Sequence, residues 1–434
     1  MNRNPVSNVS RRDALKSMLA AGLAPIVVPG RLFGARAPSK QITLGFIGMG
    51  SQGTQSNLRN FLAQDDAKAV AVCDVFRTKT EAARQLVNKQ YGNNDCKAYT
   101  DFRRIMEDRS IDAVVISTPD HWHVPMSLMA LEAGKDVFCE KPTKVIAEGR
   151  ALMDLVAKRK AVFQIGLEDR SVPHYHKMVE WVRNGAIGDL QRVEVQLPKG
   201  TILPKQDEAP VPDGLDYNLF VGPAEFIPYR PNICAGNNWR FIRNFGSGSL
   251  LDWGSHQVDT AQLAVNAPEL CALEAEGTGL LPKDSLTNVI VEFDVNFLYS
   301  NGFVVNVKSA GTGIRLIGSK GWVGNAAWRD RIQASDEKIL QTKYTPETSK
   351  HWQMPPGEQR NFLDCVKSRQ PTTYTAETMH QLHLTLHMGY LSILLGRKLK
   401  WDPVKEEFIK DAEANALRSY VHRDWAKATG GTSS

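Results

Sequence analysis

The sequence predicts an α/β chain of two domains, a doubly wound parallel sheet followed by an α+β domain with a mostly antiparallel, open-faced sheet. Three observations carry this. The chain has 434 residues, too many for one small core. From Ile42 to Ile165, short apolar runs alternate with stretches of helical period, the pattern of βαβ units. From Leu190 onward the runs alternate apolar and polar, as half-buried antiparallel strands do. Apolar residues at 42% and charged residues at 23% are an ordinary globular mixture.

Residues 1–40 read as an export leader and linker. Ser10-Arg11-Arg12-Asp13-Ala14-Leu15-Lys16 is a twin-arginine motif. The apolar stretch from Ser17 to Gly30 is too short to span a bilayer and suits a signal core; Pro25 and Pro29 oppose a stable membrane helix. Ala35-Arg36-Ala37 offers a small-x-small cleavage site, with Pro38 an awkward neighbour for a peptidase. This predicts export to the periplasm; the alternative is a disordered basic terminus on a cytoplasmic protein. The leader holds seven Lys/Arg and one acid, so it accounts for the whole net charge of +6. The remainder is near neutral, which removes the electrostatic basis for nucleic-acid binding.

Residues 41–166 are expected to form the first domain. Ile42 to Ile47 reads as a buried parallel strand running into Gly48-Met49-Gly50-Ser51-Gln52-Gly53, with a helix from about Gly53 to Ala63. A second strand, Ala67 to Cys73, ends in Asp74, twenty-one positions beyond Gly53. Strand, Gly-rich turn, helix, strand and acid at this spacing predict a Rossmann dinucleotide site. Gly48 permits the tight turn, Gly50 lets backbone approach a pyrophosphate, and Gly53 allows close helix–strand packing. The helix N-terminus offers free N–H groups to phosphate. Asp74 would accept from the adenosine ribose and repel a 2′-phosphate, favouring NAD over NADP, with Arg77 near enough to soften that preference. Helices are expected at 79–91, 101–108, 125–133 and 147–160, and strands at 111–117, 136–139 and 162–165. Cys73 and Cys139 fall in these strands and read as buried free thiols; none of the six cysteines has zinc-ligand spacing.

Ligands on such sheets bind beyond the carboxyl ends of the strands. There the sequence offers Thr118-Pro119-Asp120-His121-Trp122-His123, either cofactor or substrate contacts or a loop held by its own histidines. It also offers Glu140-Lys141-Pro142, where a lysine of lowered pKa could take a proton or polarise a carbonyl. Far downstream, Asp252 and His256 are four apart on one predicted helix face, an arrangement in which a carboxylate can orient an imidazole.

The second domain is expected over 167–425, with a flexible tail at 426–434. Leu190 to Leu197 alternates as a strand; Val289 to Phe293 and Phe303 to Val307 should pair about Tyr299-Ser300-Asn301-Gly302; Ile314 to Gly318 and Trp322-Val323 add short strands. Helices are expected at 358–368 and 376–395, the second capped by Gly396. His380, His383 and His387 share a face of that helix but spread too far along it to close around one ion, so no metal site is expected.

The motifs GFIGMGSQG, STPDHWH, CEKP and LLDWGSHQVD, in this order and with the closing GRKLKWDP and DAEANAL, resemble the Gfo/Idh/MocA oxidoreductases over nearly the whole chain after the leader. That family includes glucose–fructose oxidoreductase and inositol dehydrogenase. The resemblance implies a catalytic set of Lys141, Asp252 and His256, with His256 accepting the proton of a sugar hydroxyl. It implies cofactor contacts from Gly48 to Gly53, Asp74, Thr118, Pro119, His121, His123, Glu140 and Lys141. Arg170 falls in the segment expected to line the substrate pocket, although Glu168-Asp169 stands where a more neutral stretch is expected. His174, Tyr175, His176, Trp239 and Arg240 suit contact with a polyol. The resemblance further implies a homodimer or homotetramer built on the open sheet face. An exported enzyme has little access to a nicotinamide pool, so a tightly held NAD is expected. Three activities fit: a sugar or glycoside oxidoreductase, a redox-neutral NAD-dependent glycoside hydrolase or lyase working through a transient keto-sugar, and a non-catalytic dinucleotide sensor. Retention of Lys141, Asp252 and His256 argues against the sensor.

Overall fold

A computed structural model describes residues 41–267, 271–345 and 354–425; the expected leader (1–40) and tail (426–434) lie outside the described residues. The compact unit from Ile42 onward contains both sheets.

The first sheet has six strands: β1 (Ile42–Ile47), β2 (Ala67–Cys73), β3 (Lys97–Tyr99), β4 (Ala113–Ile116), β5 (Asp136–Glu140) and β6 (Phe163–Gly166). Their order is β3-β2-β1-β4-β5-β6 and every pairing is parallel. Strand order reverses between β1 and β4, and a crevice opens there beyond the carboxyl ends. Helix α1 begins as a π-helical turn (Gln52–Leu58) and continues as Arg59–Leu62. It is followed by α2 (Arg77–Tyr91), α3 (Arg103–Glu107), α4 (Asp120–Glu132) and α5 (Ile146–Arg159). Helix α4 starts five residues ahead of the sequence expectation and carries Pro125 in its interior. Burial of His121, Trp122 and His123 holds this early turn, overriding the local signal that proline gives. Strand β3 was not expected: it is a three-residue edge strand with two exposed residues.

Five helices matter in the second half: α6 (Pro173–Arg183), α7 (Gly248–Asp252), α8 (Gly254–Val265), α9 (Glu358–Ser368) and α10 (Ala376–Leu395), the last ending at Gly396 in the left-handed conformation, φ 64°. The second sheet contains β7 (Leu190–Leu197), β8 (Glu274–Leu280), β9 (Glu292–Leu298), β10 (Val304–Ser309), β11 (Ile314–Gly318), β12 (Gly321–Asn325), β13 (Gln333–Ala334), β14 (Leu399–Asp402) and β15 (Glu407–Phe408). Its order is β13-β12-β11-β7-β10-β9-β8-β14-β15, antiparallel except for β7 beside β10. The expected hairpin forms about residues 299–302, but its first arm is β9 rather than 289–293. Strand β9 buries Phe293, Val295 and Phe297 and exposes Asp294 and Asn296, so its open polar face masked the strand, and the denser apolar run at 289–291 drew the expectation upstream.

Two features tie the halves together. Helix α9 lies within the segment assigned to the second domain, yet its Phe362 packs edge-on to Phe61 and Phe138 of the first sheet's core, at ring distances of 6.2 and 5.8 Å. The segment between β7 and α7 forms a strap back to the end of β2. Phe76 bridges Leu215, the Arg77 N–H donates to Gly214 O (2.9 Å), and the Asp216 N–H donates to Val75 O (3.0 Å). The strap has its own apolar cluster, Leu203, Tyr217, Phe220, Ile233 and Phe245, against which Val75 and Phe76 pack. Cys73 and Cys139 are buried and all six cysteines are free thiols. Among the described residues no helix is long and apolar enough to cross a membrane.

Candidate active site

The Gly-rich turn at the end of β1 is built as its spacing requires. Gly48 has φ +89°, and a Cβ there would sit 2.5 Å from Ser117 O. A Cβ on Gly53 would lie 1.9 Å from Gly48 O, so only glycine lets α1 settle against the turn. Gly50 faces open space, leaving its backbone accessible to a ligand. Asp74 accepts from the N–H groups of Met49 (2.7 Å) and Phe76 (2.8 Å), which fixes its carboxylate at the crevice; burial raises its pKa. The nearby cation is Lys79, whose ammonium lies 4.0 Å from the Phe76 ring; Arg77 is exposed and packs beside Gly214. Leu219, Phe220, Cys234 and Asn237 of the strap form the opposite wall of a cavity that also takes in Gly48, Asp74, Lys141, Trp239, Arg240 and His256. Open space at Gly50, an anchored acid and free helix N–H groups fit a dinucleotide.

The Thr118–His123 motif divides between two roles. Thr118, Pro119 and His123 line the cavity. The His123 ring sits between Pro142 O and Thr118 O, 2.8 Å from each. His121 does not line the cavity: it is fully buried, with Nε2 2.9 Å from Phe220 O and Nδ1 3.3 Å from Phe245 O. Its ring nitrogens are engaged by the strap, which corrects the cofactor-contact expectation. Trp122 acts alongside it, donating from Nε1 to Leu219 O at 2.9 Å. Burial lowers the pKa of His121 to about 3 and of His123 to about 4, against the carbonyl contacts on both nitrogens of each ring, which favour the charged form.

Lys141 precedes a cis peptide bond to Pro142 and donates to Asp252 Oδ1 at 2.6 Å and to Asp252 O at 3.3 Å. Arg240 Nε lies 2.9 Å from the other carboxylate oxygen. Burial alone would raise Asp252; the two cations reverse this and hold its pKa well below the carboxylate range. Burial disfavours the Lys141 ammonium, but Asp252 more than offsets it and raises the pKa above that of a free lysine. Lys141 is therefore a held ammonium, and the sequence expectation of a lowered lysine pKa is corrected.

His256 is also not oriented by Asp252. The helix that the spacing implied is broken at Trp253, between α7 and α8, and Lys141 and Arg240 capture the Asp252 carboxylate. The carboxylates near His256 Nδ1 are Asp169 at 3.5 Å and Glu168 at 4.0 Å, neither aligned as a hydrogen bond. Asp169 is itself fixed by Trp328 Nε1 (2.9 Å) and the Arg329 guanidinium (3.3 Å). Trp253 and Trp328 flank the imidazole at ring distances of 6.0 and 5.6 Å. Burial and Lys141 pull the His256 pKa down, while Glu168 and Asp169 more than compensate, leaving it raised. Glu140, which accepts from Gln52 Nε2 and Asn57 Nδ2 at 2.9 Å each, is raised by burial.

Four residues expected at the substrate are placed elsewhere. Arg170 is buried in a bidentate pair with Asp259 (2.7 and 2.6 Å) and donates to Thr373 O. Tyr175 is core, its hydroxyl accepting from the Arg329 N–H at 3.0 Å. His174 and His176 lie on α6 and do not line the cavity. Arg170 lies within the turn at 168–171 and the other three on the helix after it, where the chain packs on α8. Trp239 and Arg240 do line it, with the guanidinium 4.6 Å from the indole ring and Arg240 Nη1 lacking a partner. Sequence reasoning missed Asp169, Trp328 and Lys79 as site residues. Asp169 was visible only as an unexpected acid after β6, and nothing in the sequence marked Trp328.

Comparison with known proteins agrees with this architecture. Residues 42–167 match the model of an oxidoreductase family with an NAD-binding Rossmann fold, and residues 201–427 match that family's C-terminal alpha/beta domain. The chain belongs to the Gfo/Idh/MocA oxidoreductase family. It is 29% identical to a levoglucosan dehydrogenase of Pseudarthrobacter phenanthrenivorans over 43% of this chain and 41% of that protein. It is 32% identical to an inositol 2-dehydrogenase of Rhizobium meliloti over 36% of this chain and 44% of that one. An alpha-N-acetylgalactosaminidase of Shewanella oneidensis matches at 29% over 39% of this chain and 38% of its own length. The chain thus spans less than half the length of these three relatives. The crystal structure of an aldose-aldose oxidoreductase from Caulobacter crescentus shares the fold with a TM-score of 0.62, at 19% identity over 83% of this chain and 99% of that one.

Proposed function

We propose that this protein is an NAD-dependent oxidoreductase that moves a hydride between the cofactor and a hydroxyl-bearing carbon of a sugar or glycoside. One observation carries the reading: His256 and the Lys141–Asp252–Arg240 array share a single cavity with the Gly48–Gly53 turn. When bound, the nicotinamide supplies the hydride acceptor or donor. The residues supply the rest. Backbone N–H groups of the turn hold phosphate, and Asp74 holds the ribose and repels a 2′-phosphate, favouring NAD. Neutral His256 takes the hydroxyl proton, and Asp169 and Glu168 stabilise the imidazolium that results. The Lys141 ammonium polarises the substrate oxygen, and Arg240 offers unpaired N–H donors to further hydroxyls. The strap wall supports a cofactor retained through turnover. Export through the twin-arginine motif and assembly as a homodimer or homotetramer belong to the same reading.

The strap also favours a second reading, in which a retained cofactor takes a hydride from the sugar and returns it after the glycosidic bond has broken, leaving no net redox change. One experiment separates the two. The purified protein, without added cofactor, is mixed with a panel of sugars and aryl glycosides while nicotinamide absorbance is followed. Reduction that persists until a keto-sugar is added supports the oxidoreductase. Transient reduction with release of aglycone supports the redox-neutral route. Lys141→Ala or His256→Ala should abolish turnover with cofactor still bound; unchanged turnover in both sinks the proposed site.

A further inference from the structure

The histidine row on α10 finds its explanation in two loops. His383 is buried at 1% exposure, and its Nδ1 accepts the Thr143 N–H at 3.2 Å. Its Nε2 lies 3.0 Å from Ser255 Oγ. The Ser255 hydroxyl donates its only proton to Leu251 O at 2.6 Å, so His383 Nε2 must be the donor toward Ser255. The Thr143 N–H requires a bare lone pair on Nδ1. One neutral tautomer, protonated at Nε2, satisfies both contacts, and the imidazolium would satisfy only one. Burial lowers the pKa of His383 well below the usual value, which keeps the ring neutral. One turn on, His387 Nε2 lies 3.1 Å from Thr143 O and steadies the same loop.

Thr143 is two residues beyond Lys141, and Ser255 adjoins His256. We propose that His383 is a positioning residue: by clasping Thr143 and Ser255 with one neutral ring, it sets Lys141 and His256 at their working separation. Lys141 and His256 are 115 positions apart in sequence, and the clasp joins the loop after Lys141 to the residue before His256. The catalytic consequence rests on the function proposed above; the geometric one does not.

Three variants separate the two arms. His383→Asn keeps an acceptor at the Nδ1 position for Thr143. His383→Gln keeps a donor at the Nε2 position for Ser255. His383→Leu keeps neither. Displacement of reacting groups by about 1 Å costs on the order of 10²-fold in rate, so His383→Leu should lower kcat by ~50-fold or more with KM moved less than ~3-fold, and each amide should recover roughly tenfold. The second readout is NMR of the unreacted holoenzyme, in which ten histidines give a tractable spectrum. Native His383 should show the Nε2–H tautomer. The His256 titration should move in His383→Asn and His383→Leu and stay in place in His383→Gln. A native Nδ1–H tautomer overturns the proposal. So does a destabilised His383→Leu with kcat and the His256 titration unchanged. Native protein that turns over no sugar would defeat the functional reading alone, and the tautomer and titration would still decide this one.

Discussion

Replacing Asp169 by Asn tests how the imidazole is controlled. Asp169 Oδ2 lies 3.5 Å from His256 Nδ1, and the remaining acid, Glu168, is at 4.0 Å. Two unit charges 3.5 Å apart interact by about 5 kcal/mol at an effective dielectric of 20, an upper limit that solvent and poor alignment reduce. An aligned hydrogen bond to a charged group contributes about 1.5–3 kcal/mol net; this unaligned contact falls at the low end, and Glu168 retains part of the field, so about 1.5 kcal/mol is the upper bound on the loss. The sign follows from which form loses its partner. The imidazolium is destabilised, so a lower pH is needed to protonate the ring, and the acid limb of kcat/KM moves down by up to about one pH unit. The plateau should fall by up to about tenfold because the imidazolium formed on proton transfer loses the same stabilisation. Asn still accepts from Trp328 Nε1, so the fold is expected to survive. His256 titration by NMR gives the shift without a substrate. A titration that stays put or moves upward refutes control by Asp169.

Other perturbations read other parts of the molecule. Asp74→Ser removes the charge that opposes a 2′-phosphate and should raise the NADP/NAD ratio of kcat/KM by roughly 10–100-fold, since like-charge contacts cost several kcal/mol; an unchanged ratio would move the specificity determinant elsewhere. Gly222→Ala places a Cβ 2.1 Å from the Trp122 ring at φ +49°, and should destabilise by roughly 2–4 kcal/mol in denaturant titration, with cofactor lost as the strap lifts. Burial pushes the Asp66 carboxyl up, and Arg360 and Lys367 more than reverse it, holding it at about 2. A depressed folded pKa contributes stability above the unfolded value near 4 and loses it as pH falls through about 2. Asp66→Asn should therefore cost about 2 kcal/mol at pH 7 and match the parent protein below pH 2 in unfolding curves.

The first sheet was legible because fully buried parallel strands announce themselves as short apolar blocks, and the Gly48–Gly53 turn carries its geometry in its spacing. Lys141 was legible from its position after a strand and His256 from its motif, whereas Trp239 and Arg240 were named only as residue types that suit a polyol, a criterion that failed for His174, Tyr175 and His176. The partnerships were not legible. That Asp252 belongs to Lys141, 111 positions away, and Asp169 to His256, 87 positions away, depends on contacts that no local pattern encodes. The substrate expectation for Arg170 failed for a related reason: Asp259, 89 positions away, takes up its guanidinium. Strands β8 and β9 were obscured because an open-faced sheet needs only half of its residues apolar.

The position of Phe362 has a consequence for how this chain can be divided. A fragment ending at residue 166 would contain every strand of the nucleotide-binding sheet and the whole Gly-rich turn, yet it would leave the Phe61 and Phe138 rings without the helix that covers them. Such a fragment would be sticky rather than autonomous. Exchange of this half between relatives by recombination would need to carry residues 358–368 along with it, so the workable breakpoints are paired ones, distant in the gene and adjacent in the core.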